Sequence, residues 1–181
     1  MYMRLVAVIS LVGIGLIGRL IPHPPNATPI TAVSIAAARY LGTTWALIVP
    51  IASMVLADAL IGWYDWRILL SVYGSIVCIS VLNLAIRKIR GPLPVMLAVF
   101  GASVLFFFIT NTTVWAFSPW YEKSLAGLLY AYELGLPFFR TMLLGDLVYT
   151  PILLGAIECA SFVRSTQYRV IRSPFIARRS L

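Results

Sequence analysis

Apolar residues run along this chain in stretches of membrane-spanning length, and short polar segments mark where each stretch ends. The first stretch covers about residues 4–21 and leads into "IPHPPNATPITA", residues 21–32, which sets four prolines, a histidine, an asparagine and two threonines between greasy segments. A second, shorter apolar segment runs from about Pro29 to Leu41. Thr28-Pro29 reads as its N-cap followed by proline at the first helical position. At helical rise it crosses only about 20 Å, too little to span a bilayer without help from the loop before it. Further spans are predicted over about Thr44–Ile61, Ile68–Ile86, Leu93–Phe117 and Pro137–Val163. Between the fifth and sixth, Leu125, Leu128, Leu129 and Tyr132 follow the i, i+3, i+4, i+7 rule. That periodicity predicts a short amphipathic helix on the membrane surface. The fold class expected is therefore all-α: a polytopic six-helix transmembrane bundle with one surface helix.

Composition strengthens this picture. Of 181 residues, 61% are hydrophobic and 11% charged, and the mean hydropathy is +0.94. A soluble domain carries about 25% charged residues, so these charges could not cover a water-facing surface. The opening apolar run leads into prolines rather than a small-residue cleavage site, so it reads as the first span. Residues 1–164 form one transmembrane domain and 165–181 a basic cytoplasmic tail. Cys78 and Cys159 lie inside apolar runs with no CxxC spacing, which suits small buried hydrophobes rather than a metal or redox site.

The net charge of +8 fits basic residues facing the cytoplasm and anionic headgroups better than nucleic acid. With the N-terminus inside, six spans put Arg4, Arg39, Arg87, Lys88, Arg90, Arg164, Arg169, Arg172, Arg178 and Arg179 on the cytoplasmic side. Arg19, Arg67, Lys123 and Arg140 fall outside. Ten against four follows the positive-inside rule and leaves both termini cytoplasmic. Trp63, Trp66, Trp115 and Trp120 then lie near the outer ends of spans, where indole rings sit well at headgroup level. Polar and aromatic residues thus gather on the outer side.

That side holds the candidate chemistry. Prolines at 22, 24, 25 and 29 stiffen the opening loop, which suits either a ligand-closing lid or a rigid connector. His23 is the only histidine, and with no accompanying Cys or acidic cluster no metal site is expected. Asp58, Asp146 and Glu158 are ionisable groups within spans, a costly placement that marks functional candidates. Asp58 can also face headgroups or pair with Arg67. Asp146 lies about 12 Å into its span and precedes Pro151, whose missing N–H frees the carbonyl of Leu147. Its structural alternative is a pair with Arg140 or Arg39, although Arg140 lies about 240° away around the same helix. Asn111, Thr112 and Thr113 either line a pocket or bind neighbouring helices. No HExxH, GxSxG or phosphate-cradling glycine loop occurs, so neither catalytic residues nor a cofactor is expected.

With "PHPPNATPI" after the first span, "LG" at 41–42 and the aspartate-ended "VLADALIG", the chain resembles the substrate-binding (S) components of energy-coupling-factor vitamin transporters. More narrowly, "RLIPHPPNATPITA", "VLADALIGWYD", "TNTTVWA" and "LPFFRTMLLGDLVYT" resemble a bacterial membrane family without assigned function that looks like a branch of those components. This narrower resemblance covers residues 16 to about 155. The resemblance implies a protein of the bacterial inner membrane that captures a micronutrient from outside, working with a membrane coupling protein and two cytoplasmic ATPases. Its lid would be residues 23–28, including His23, Asn26 and Thr28. Its pocket would draw on Asp58, Trp63, Asn111, Trp115, Arg140 and Asp146. S components commonly carry an alanine-x-x-x-alanine docking pattern on the first span. This chain departs from it with Ala7, Ser10, Gly13, Gly15 and Gly18 there, and an Ala32/Ala36 pair on the second span. The alternative from another class is an accessory or scaffold subunit of a larger membrane complex, without its own ligand. A self-sufficient carrier or channel is the third reading.

Overall fold

The computed structural model describes residues 2–89 and 91–176, with side chains as far as Ser161. The described residues form six helices: α1 (Tyr2–Leu20), α2 (Ile30–Tyr40), α3 (Thr43–Ile61), α4 (Trp66–Ile86), α5 (Pro92–Phe117) and α6 (Leu125–Ile176). Five of them, all but α2, are long and apolar enough to cross a membrane. They turn large hydrophobic side chains outward, as lipid rather than water requires.

The short α2 is the axis of the bundle. It packs against every other helix, while α1, α3, α4, α5 and α6 follow one another around it, with no backbone approach between α1 and α6 among the described residues. Each residue from Ile30 to Ala38 is buried. The sequence makes this feasible because Ala32, Ser34, Ala36, Ala37 and Ala38 are small enough for neighbouring backbones to come close on all sides. Val33, Ile35 and Ala36 of α2 share the main core with Val8, Leu11 and Val49.

Local chemistry sets the helix ends. The Asp65 carboxylate accepts from the backbone N–H groups of Arg67 (2.9 Å) and Ile68 (3.4 Å), so α4 starts at Trp66, two residues before the expected start. This cap satisfies two of the donors left unpaired at a helix start.

The expected surface helix and sixth span are one continuous helix, α6. Pro137 lies within it, removing a single bond to the carbonyl four residues earlier. Packing on α5 bridges that point. Phe107 contacts Tyr132 before the proline and Phe139 after it, with ring centroids 5.7 and 5.2 Å apart. Within the predicted stripe, Leu125 and Leu129 are both exposed on the outside of the bundle. At its far end the helix continues to Ile176, into the segment read as a tail. Arg90 and the arginines at 164, 169, 172, 178 and 179 lie outside the described residues or side chains.

Candidate functional site

The loop between α1 and α2 is a built element. Ala27 N–H donates to the Pro24 carbonyl at 3.0 Å, and Asn26 has φ 61°. Pro25 followed by a left-handed residue makes a type II turn, in which Asn is one of the few non-glycine residues that fits. The turn is seated on two glycines. A side chain at Gly18 would run into the Pro29 ring, and one at Gly145 would come within 3.0 Å of the Ala27 Cα. The Thr141 hydroxyl donates to the Pro25 carbonyl at 2.5 Å, tying the loop to α6.

Beneath this loop is a cavity of about 200 Å³. His23, Asn26 and Thr28 line it from the loop, Thr31 and Ser34 from α2. Apolar walls come from Ile30, Met54, Val72, Ile76 and Phe106, and Asp146 of α6 faces in with Met142. Apolar walls with a few convergent polar groups are the usual make-up of a small-molecule site.

Asp146 is 1% exposed. The Ser103 hydroxyl donates to its Oδ2 at 3.0 Å, and Thr31 is hydrogen-bonded to the same carboxyl group. The pairs with Arg140 or Arg39 considered from sequence do not form. Arg140 is exposed on α6, and Arg39 donates to the Ile89 carbonyl at the other end of α2. Among the described residues the one ion pair is Arg19–Asp58, at 2.6 Å. Asp146 therefore has hydroxyl partners and no cation.

Asp58 is also 1% exposed, but it is occupied. Its Oδ1 takes Arg19 Nη2, and its Oδ2 accepts from the Tyr73 hydroxyl at 2.8 Å. Arg19 further donates to Met54 Sδ. The expected partner, Arg67, lies instead over the rings of Trp66 and Phe117, at 5.3 and 5.2 Å from their centroids. Arg19 and Met54 line the cavity, so Asp58 acts on it through them. In the loop between α3 and α4, partial burial pushes the Tyr64 phenol to about 12, with the Asp58 charge adding to the effect. Tyr64 is thus a neutral hydroxyl across the ordinary pH range.

Of the residues singled out from sequence, the cavity brings together His23, Asn26, Thr28 and Asp146, with Asp58 one contact removed. The others lie elsewhere. Trp63 is 62% exposed. Asn111 donates to the Phe107 carbonyl of its own helix, and Trp115 Nε1 donates to the Glu122 carbonyl. Sequence reasoning missed Arg19, Thr31, Ser34, Met54 and Met142. A signal existed for Arg19, since it and Asp58 are opposite charges within apolar segments. Nothing local distinguishes the two methionines from core residues. Ser34 also continues inward as a polar seam, its hydroxyl 3.1 Å from both Ser80 Oγ and Asn83 Nδ2.

Searches of curated proteins and of solved structures found no match. Residues 1–170 match the family described as "Family of unknown function (DUF6580)". With nearly the whole length matched, the chain belongs to that family.

Proposed function

We propose that the protein is the substrate-capturing subunit of a micronutrient importer of the energy-coupling-factor type, in a bacterial inner membrane. The observation that carries this reading is the cavity closed by the proline loop, with buried Asp146 inside it bearing no cationic partner among the described residues. A carboxylate placed so is costly within a membrane protein, and a ligand presenting a positive charge or N–H donors would offset that cost. The type II turn and its glycine seats suit a lid that loses little entropy on closing. Both termini are cytoplasmic in this reading, and the cavity opens outward. Energy comes from a coupling protein and ATPases, because the chain carries no nucleotide motif.

Mass spectrometry of gently purified protein tests the reading by identifying a co-purifying small molecule and any partner subunits together. Asp146→Asn is expected to weaken retention of that molecule about tenfold, the worth of one lost hydrogen bond to a charged group. An empty cavity in protein purified with all its partners would reject the reading.

The accessory-subunit alternative draws on α1, whose backbone, among the described residues, approaches only α2 and α3 and which leaves most of its apolar surface uncovered. Against it, Gly15 and Gly18, two of the small residues suited to meeting a neighbour, are taken up inside the chain by Ser53 and Pro29. Stoichiometric co-purification without any ligand would favour it.

A further inference from the structure

At the end of α2 away from the loop, the bundle holds a second recess of opposite character. Arg39, Arg87 and Lys88 gather around a space of about 640 Å³, with Tyr40 and Glu158 at its side. Tyr40 donates its hydroxyl to Glu158 at 3.0 Å, so among the described residues three cations stand against one carboxylate. Among the described residues, Arg39 and Arg87 hold only long bonds of 3.3 Å, to the Ile89 carbonyl and the Thr43 hydroxyl. The α5 N-terminus opens at the same place. Its cap, Gly91, offers no side chain, and Pro92 and Pro94 carry no N–H, so Leu93 supplies the one amide donor of the first three positions, while the positive end of the helix dipole adds to the potential of the recess.

Arg39, Gly91 and Glu158 also line a groove of about 440 Å³ between α5 and α6. Beyond them the groove is apolar, with Val95, Met96, Leu147, Pro151 and Leu154 in its walls. One wall atom is polar and unsatisfied. Thr150 is 1% exposed, and its hydroxyl has no hydrogen-bond partner among the described residues. A basic mouth continuous with a greasy groove fits a molecule with an anionic head and an acyl tail.

We propose that this groove is a binding site for an anionic phospholipid. The phosphate lies among Arg39, Arg87, Lys88 and the α5 N-terminus, and one acyl chain runs between α5 and α6. An ester carbonyl of the lipid supplies the acceptor for Thr150. Basic pockets between transmembrane helices recognise anionic headgroups through this combination of charge and depth. The site is separate from the cavity under the loop and does not depend on what that cavity holds.

The test is native mass spectrometry of the full chain released from nanodiscs of phosphatidylcholine containing a minor fraction of phosphatidylglycerol. The wild type is expected to retain phosphatidylglycerol in preference to phosphatidylcholine. Arg87→Gln with Lys88→Gln should lower that preference roughly tenfold, while Arg67→Gln with Lys123→Gln at the opposite end leaves it unchanged. Gly155→Phe probes the tail independently of charge. Gly155 lines the groove, and a Cβ there meets nothing within 4 Å. The new ring should therefore fill the groove and expel the lipid without disturbing the backbone. Equal retention of the two lipids by the wild type would overturn the proposal, as would equal losses in both charge variants. Displacement of the lipid by millimolar inorganic phosphate, with Gly155→Phe having no effect, would reassign the recess to a free anion and overturn the lipid assignment.

Discussion

The two ends of α2 handle charge in opposite ways. At the loop end, ionic groups are drawn into the bundle: Asp58 is sealed against Arg19 and Tyr73, and Asp146 against Ser103. At the far end, Arg39, Arg87 and Lys88 stay at the rim around an open recess. Inward charge must be satisfied by the chain or by a ligand, because lipid and protein interior offer nothing else. Rim charge can use water and headgroups. The difference locates where the fold depends on electrostatics and where it only displays them.

The sharpest test of this contrast removes a carboxylate from each end. Asp58→Ala strands Arg19 and is expected to cost about 3–5 kcal/mol, read as a fall in the melting temperature in detergent. Glu158→Ala removes a carboxylate whose Tyr40 contact is exposed and should cost less than about 1 kcal/mol. Similar losses at both ends would erase the distinction. Next comes the axis that separates them. Ala37 is fully buried, so Ala37→Leu overfills the centre and should destabilise by about 1–3 kcal/mol. The α4 cap gives a smaller effect: Asp65→Ala leaves Arg67 N–H and Ile68 N–H without their acceptor and should cost about 1 kcal/mol. Last, Arg140→Gln should change stability by no more than about 0.5 kcal/mol and leave ligand retention untouched. A tenfold effect there would return Arg140 to the site.

Most of the fold was legible because span length is a one-dimensional property. The ends of α3 and α5 fall within a residue of the positions read from apolar runs. Where reading failed, the deciding contact was remote or the local cue ambiguous. Pro137 looked like a boundary, yet Phe107, thirty positions earlier on α5, grips both sides of it. Arg19 entered the charge count as an outer-side cation, although its partner stands 39 residues away. The site was legible in part for the same reason. The loop residues and Asp146 announce themselves by being polar in apolar company. Met54 and Met142 become cavity walls only once α3 and α6 are placed around α2. Asn111 and Trp115 were equally conspicuous in sequence, but backbone carbonyls on α5 and in the following turn occupy their donors.

The length of α2 bears on how the molecule is made. Eleven residues rise only about 17 Å, well short of the bilayer's hydrocarbon thickness of about 30 Å. Such a segment cannot be threaded into lipid as an independent unit during synthesis, because its ends would leave backbone groups stranded in hydrocarbon. It must instead be carried in by α1 and α3, and find its final place only when α4, α5 and α6 have arrived to surround it. The part of the chain at the centre of the finished protein is thus the last to be completed, and any ligand or lipid held beside it is in position to reward that final step.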